Sequence, residues 1–202
     1  MVEPSGHYFE ADPGVASQPR TVRLDLPDRS FELRSDRGVF SGDRVDPATK
    51  YLLLEAPAPP AGGTFVDLGC GYGAIACTLA ARRPGARVWA VDVNQRALDL
   101  CRANAEALGL ANVTVTAPEA VPDDLVVDLV WSNPPIRIGK AALHALLVGW
   151  LERLSRPAGR AVLVVHKHLG ADSLQRWLEA EGWPTARLGS RDGNRLLEVQ
   201  PR

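Results

Sequence analysis

The stretch Thr64-Phe65-Val66-Asp67-Leu68-Gly69-Cys70-Gly71-Tyr72-Gly73 joins a short apolar run to three glycines at alternate positions. The run Thr64 to Leu68 fits a strand covered on both faces. The glycines let the backbone turn sharply into a helix, Ala74 to Arg82, whose first N–H groups face whatever lies over the loop. Taken alone, the loop also fits a plain strand-to-helix turn that holds no ligand. Downstream, short apolar runs alternate with amphipathic segments, the pattern of a parallel sheet with helices on both faces. Strands are expected at Thr64 to Leu68, Arg87 to Val91, Val113 to Thr116, Val126 to Ser132, Ala161 to His166, Thr185 to Leu188 and Leu196 to Gln200. Helices are expected at Ala74 to Arg82, Gln95 to Leu108, Lys140 to Leu154 and Ala171 to Glu181, while Ala117 to Leu125 is too short and acidic for one. Gly189 to Asn194 reads as a hairpin-like turn, which makes the last strand antiparallel to its neighbour. The fold class is therefore α/β, a Rossmann-like sheet of seven strands with the last one reversed.

Upstream, Thr21 to Leu26 and Ser30 to Arg34 alternate apolar with polar residues around the turn Pro27-Asp28-Arg29, a hairpin. Asp46-Pro47 is an N-cap acid with proline at the first helical position, opening a short helix through Leu54. The breaker Ala56 to Gly63 separates residues 1–63, an N-terminal extension of lead-in, hairpin and helix, from a main unit at 64–202. The sheet does not need this extension for its own core, and the breaker leaves it free to fold back over the crevice at the carboxyl ends of the strands.

The chain has 202 residues, 46% hydrophobic and 23% charged, with a net charge of -1. That is an ordinary globular composition, so disorder, collagen-like repeats and coiled coil are excluded. Without a cationic excess, any nucleic-acid contact must come from a local patch. Positive charge is nearly all arginine, with lysine only at Lys50, Lys140 and Lys167, and carries no mechanism by itself. Cys70, Cys77 and Cys101 are odd in number and have no CxxC spacing, which argues against a disulfide framework and a metal site. No window has the roughly 18 apolar residues of a membrane span, and Met1 to Arg20 has no apolar run, so a soluble cytoplasmic protein is expected.

The second strand ends at Val91-Asp92-Val93-Asn94. An acid there, about 20 residues past the glycines, suits the two hydroxyls of a ribose; the plain alternative, helix capping, is already served by Asn94. The glycine spacing is GxGxG behind an acid, not the GxGxxG that cradles a pyrophosphate, so S-adenosylmethionine fits better than NAD. Asn133-Pro134-Pro135-Ile136 directly follows the fourth strand, at the crevice that strands one and four flank in such sheets. A planar exocyclic amine is a poor nucleophile because its lone pair is delocalised into the ring. If Asn133 Oδ1 and the Pro134 carbonyl accept its two N–H bonds, the nitrogen can pyramidalise and aim that pair at a methyl group. The prolines hold the loop rigid, and no general base is required.

With these residues in place, the chain resembles the class I S-adenosylmethionine-dependent methyltransferases, and within them the small-domain group that includes ribosomal RNA guanine-N2 methyltransferases. The resemblance rests on Asp67 to Gly73, Asp92, Asn133 to Lys140 (NPPIRIGK), Gly38-Val39-Phe40-Ser41 with Asp46 and Thr49, His7-Tyr8-Phe9, and His166 to Leu174 (HKHLGADSL). It implies S-adenosylmethionine bound by Asp67, Gly69, Gly71, Gly73, Asp92, Val93, Glu119 and Asn133, with catalysis at Asn133, Pro134, Pro135 and Ile136. It also implies ribosomal RNA or a ribosomal subunit as partner. Many relatives carry Tyr or Phe where Ile136 stands, and the larger ribosomal enzymes carry an extra N-terminal domain copy for which this chain has no room.

Arg137, Lys140, His166, Lys167 and His168 follow strand ends on the same edge and are either a phosphate-binding rim or solvated surface. Phe40 is either a wall for the acceptor or a plug in the core between hairpin and sheet. Two alternatives to RNA methylation stay open: N-methylation of a protein glutamine or small heterocycle, and a non-catalytic RNA-binding or assembly module.

Overall fold

The computed structural model of the chain describes residues 14–202. His7-Tyr8-Phe9 lies outside the described residues. The hairpin forms as β1 (Arg20–Leu26) and β2 (Arg29–Ser35), paired antiparallel, with Val22, Leu24, Leu26, Phe31 and Leu33 buried on one face. Helix α1 (Pro47–Glu55) starts at the expected cap, Asp46, whose side chain accepts the Ala48 and Thr49 N–H bonds. The sheet follows as β3 (Gly63–Leu68), α2 (Ala74–Arg82), β4 (Ala86–Val91), α3 (Gln95–Ala107), β5 (Val113–Thr116) and β6 (Leu129–Ser132). It continues with α4 (Lys140–Leu151), β7 (Arg160–His166), α5 (Ala171–Ala180), β8 (Thr185–Arg191) and β9 (Asn194–Val199).

The seven strands lie in the order β5-β4-β3-β6-β7-β9-β8. All pairings are parallel except those of β9, which is antiparallel to both β7 and β8. Successive side chains of each strand enter opposite cores, as a two-residue period requires. Phe65, Leu129, Trp131, Val162 and Val164 join the cluster under α2 and α3, whereas Val66, Val130, Leu163 and Val165 join the one under α4 and α5. Burial on both faces is why these strands read as unbroken apolar runs.

Three boundaries differ from the sequence reading by three residues. The strand expected from Val126 begins at Leu129: Asp128 turns its carboxylate onto the Thr64 N–H (2.8 Å) and the Ser155 hydroxyl (2.7 Å), and Val126 is exposed. Helix α4 stops at Leu151, and Leu154 instead forms an isolated bridge with Val127. The last hairpin turns at Asp192-Gly193 alone, both residues having positive φ (49° and 82°), the conformation a two-residue turn demands. Gly189 is absorbed by an irregularity in β8 instead of the turn.

The extension is not a free flap. Leu33 on β2 and Leu52 on α1 are fully buried in the same cluster as Leu79 and Leu98 of α2 and α3. Asn104 of α3 closes the seam: its Oδ1 accepts the Arg34 N–H (2.7 Å) and its Nδ2 donates to the carbonyls of Arg34 (2.9 Å) and Tyr72 (2.8 Å). Among the described residues no helix is long and apolar enough to cross a membrane.

Candidate active site

From β3 the chain moves outward to β4 and β5, then crosses back to β6 on the other side of β3. Strand order reverses there, and ligands of open parallel sheets bind beyond the carboxyl ends of the strands at that reversal. A cavity of about 780 Å³ occupies this place. Its wall brings together residues distant in sequence: Phe40, Gly69, Gly71, Asp92, Val93, Asn133, Pro134, Pro135, Ile136 and Arg137.

The glycine loop is shaped for a ligand laid against main chain. Gly69 and Gly71 have φ of 77° and 53°, a region that disfavours side chains. A Cβ added at Gly71 would meet nothing within 4 Å, so bare backbone faces open space, while at Gly69 the nearest atom is Pro135 Cδ at 3.8 Å. Gly73 does other work. It precedes α2, and a Cβ there would lie 2.6 Å from the Sγ of buried Cys101, so this glycine allows α2 to pack on α3 and does not line the cavity.

Asp67 is also set back from the cavity. It is fully buried, and its Oδ2 accepts the Ala76 N–H at 2.9 Å, capping α2 where Gly73 has no side chain to do so. Burial pushes its pKa up to about 8, with the charge of Asp92 adding to the effect. Asp92 stands in the wall, held by the backbone: Oδ2 accepts from Gly71 N–H and Oδ1 from Asn94 N–H, both at 2.9 Å. A carboxylate has about four lone-pair sites, so these bonds still leave it capacity to accept from a hydroxyl. Burial raises this carboxyl too, and hydrogen bonds from the Asn94, Gly71 and Val93 backbone oppose the rise. Asn94 caps α3 through Ala97 N–H (3.2 Å), the task that would otherwise have explained Asp92. Glu119 is exposed, and its neighbour Pro118 is the residue that reaches the wall.

Across the cavity, the Asn133 loop leaves β6. The Asn133 Nδ2 donates to Asp46 Oδ1 and to Thr49 Oγ1, both at 3.0 Å, so the nitrogen end of the amide is engaged by α1. Oδ1 is the end left for an acceptor. The Pro134 carbonyl accepts the Ile136 N–H at 2.8 Å and keeps a second lone pair. Phe40 is 39% exposed and lines the cavity, so it is not a core plug. Arg137 reaches the wall, whereas Lys140 and Lys167 sit exposed outside it, at the starts of α4 and of the turn after β7. Sequence reasoning missed Leu169, Asp192 and Asn194, which line the far side. The reversed last strand held the signal for the latter two, because it carries its hairpin turn to the carboxyl end of β7. Among the described residues no cluster of three or more His, Cys, Asp or Glu side chains could hold a metal ion.

Open main chain at Gly71 and a backbone-held acid at the tip of β4 fit an adenosine ligand, and the amide at the tip of β6 lines the same cavity. The fold and the cavity are those of a class I S-adenosylmethionine-dependent methyltransferase. The methyltransferase small domain model matches residues 30–181, and the chain belongs to that family. It is 34% identical over 178 residues to the uncharacterized protein YbxB of Bacillus subtilis, covering 87% of this chain and 88% of that one. Ribosomal RNA small subunit methyltransferase C of Pseudomonas aeruginosa is 31% identical over 94% of this chain and 57% of its own length. Ribosomal RNA large subunit methyltransferase G of Streptomyces avermitilis is 32% identical over 81% of this chain and 46% of its own. The chain thus spans about half the length of these ribosomal RNA enzymes. Among solved structures, a T. thermophilus 16S rRNA N2 methyltransferase in complex with AdoMet and guanosine superposes with a TM-score of 0.76 at 27% identity, covering 94% of this chain and 52% of that one.

Proposed function

We propose that this methyltransferase acts on ribosomal RNA, moving a methyl group to the exocyclic N2 amine of a guanine. The observation that carries the reading is the Asn133 amide, whose nitrogen end is held by α1 and whose oxygen remains for the acceptor. Bound S-adenosylmethionine would supply an electrophilic methyl. Gly69, Gly71, Asp92 and Val93 would hold the adenosine half, with Asp92 accepting the ribose hydroxyls. Asn133 Oδ1 and the Pro134 carbonyl then accept the two N–H bonds of the acceptor amine. That removes its lone pair from the ring and directs it at the methyl. Only interactions stronger in the transition state than in the ground state raise turnover, and these two strengthen as the nitrogen gains positive charge. The proton leaves after transfer, when the nitrogen has become acidic.

Phe40 and Ile136 give apolar surface on which a planar base can rest. Arg137 at the wall, with Lys140 and Lys167 outside it, supplies cations for neighbouring phosphates. The named relatives support the substrate class, as does guanosine in the T. thermophilus complex. The reaction belongs in the cytoplasm, with ribosomal RNA or a ribosomal subunit as partner. The test is mass spectrometry of nucleosides from digested ribosomal RNA of cells with and without the gene. We expect one N2-methylguanosine to disappear; an unchanged nucleoside set overturns the substrate and turns attention to a protein glutamine or a small heterocycle.

A further inference from the structure

Asp46 and Thr49 belong to the extension and have no part in the chemistry above, yet they are the two partners of Asn133 Nδ2. Asp46 is the N-cap of α1, and its Oδ1 accepts from Ala48 N–H (2.9 Å) and Thr49 N–H (3.1 Å). The same oxygen accepts one hydrogen of Asn133 Nδ2, and Thr49 Oγ1 faces the other. Asp46 lines the cavity and Thr49 is buried beneath it. A carboxylate has no hydrogen to give, so a flipped Asn133 would set oxygen against oxygen at Asp46. The same flip would present N–H bonds to an amine that itself needs acceptors.

We infer that Asp46 and Thr49 are positioning residues: the cap of α1 fixes the amide of Asn133 so that an oxygen, and not an NH2 group, meets the acceptor amine. The inference rests on Asn133 being the acceptor of that amine. It explains why the extension is anchored to the sheet. A helix cap ordinarily satisfies only its own first turn; here one oxygen serves the helix and the active site together.

The test compares Thr49→Val, which keeps shape and removes the oxygen, with Thr49→Ser, which restores it, and with Asp46→Ser, which retains a good N-cap. The first readout needs no RNA. In nitrogen-15 spectra of the full chain with S-adenosylmethionine, the Asn133 side-chain amide is identified by its loss in Asn133→Ala. Its two protons should be distinct and slow to exchange in the wild type and Thr49→Ser, and should move toward solvent-like values in Thr49→Val and Asp46→Ser. Wild-type signals in either of the latter two variants overturn the inference. The second readout is methyl transfer to ribosomal RNA purified from cells lacking the gene. Loss of one hydrogen bond predicts that kcat in Thr49→Val falls roughly five- to tenfold, with KM for S-adenosylmethionine and Tm unchanged and activity recovered in Thr49→Ser. In an Asn133→Ala background Thr49→Val should cost nothing further, and an equal cost there overturns the inference. If the wild type transfers no methyl to this RNA, the proposed substrate fails, and the amide spectra still decide the positioning role.

Discussion

Asp67 carries its carboxyl into the centre of the molecule, where Oδ1 has no hydrogen-bond partner among the described residues. With a folded pKa of about 8, mainly from burial, it keeps a proton over a range where the unfolded chain has lost it. The native state then binds more protons, so Asp67 costs stability progressively as pH rises from about 4 to about 8, and by a constant amount above that. Asp67→Asn keeps an oxygen for Ala76 and cannot ionise; its Tm relative to wild type should climb between pH 5 and 8.5, and a constant difference would clear Asp67 as the titrating group. Asp92→Ala should weaken S-adenosylmethionine binding by more than tenfold, since two charge-assisted hydrogen bonds of roughly 1.5 to 3 kcal/mol each are at stake. Unaltered affinity in titration calorimetry would take Asp92 out of the ribose site. Phe40→Ala should leave Tm nearly unchanged and raise KM for the acceptor, because the ring is part of the cavity wall and not of the core. At this scale Gly69, Gly71, Asp92 and Asn133 were legible because a strand end needs no partner to be recognised. The donors and acceptors around Asn133 were not, since Asp46 and Thr49 lie 87 and 84 positions away. Spacing puts Lys140, Lys167 and Glu119 after strand ends and cannot say whether they line the cavity, from which all three are absent.

Hairpin, helix and sheet share one core, and this changes what a mutation in the extension should do. Leu33→Ala on β2 and Leu52→Ala on α1 each remove a fully buried side chain, so each should cost about 2 to 5 kcal/mol of stability for the whole molecule. A single cooperative transition in urea, shifted in both variants, is the expected result; an early separate transition would mean that the extension melts alone. The alternation of β1 and β2 was readable because half of each strand faces solvent. What the apolar half covers was not, because Asn104 of α3 and the β2 backbone meet across 70 positions. The last hairpin is reversed as expected, and only the width of its turn differs, for a local reason. A glycine inside a strand that bends through an irregularity looks the same in sequence as a glycine in a turn.

The whole molecule is nearly neutral, so under the proposed function any contact with RNA has to come from a local patch of cations. Binding of ribosomal RNA should weaken steeply from 50 to 200 mM salt, with the slope reduced by about one per phosphate contact in Arg137→Ala. An affinity indifferent to salt would point to a small acceptor instead. The parallel core and its reversed hairpin were readable from the alternation of apolar and amphipathic segments, but the place of β9 was not, since strand order leaves no local trace. That place decides which strands depend on β9 for their pairing. β9 lies between β7 and β8, and among the described residues β8 has no neighbour in the sheet apart from it. Without β9, β8 would have no strand to pair with among the described residues and β7 would keep an open edge. The far wall of the cavity, including Asn194, depends on the same strand. A chain truncated at Arg191 should therefore show an unpaired β7 edge and a cavity that lacks its Asp192 and Asn194 wall.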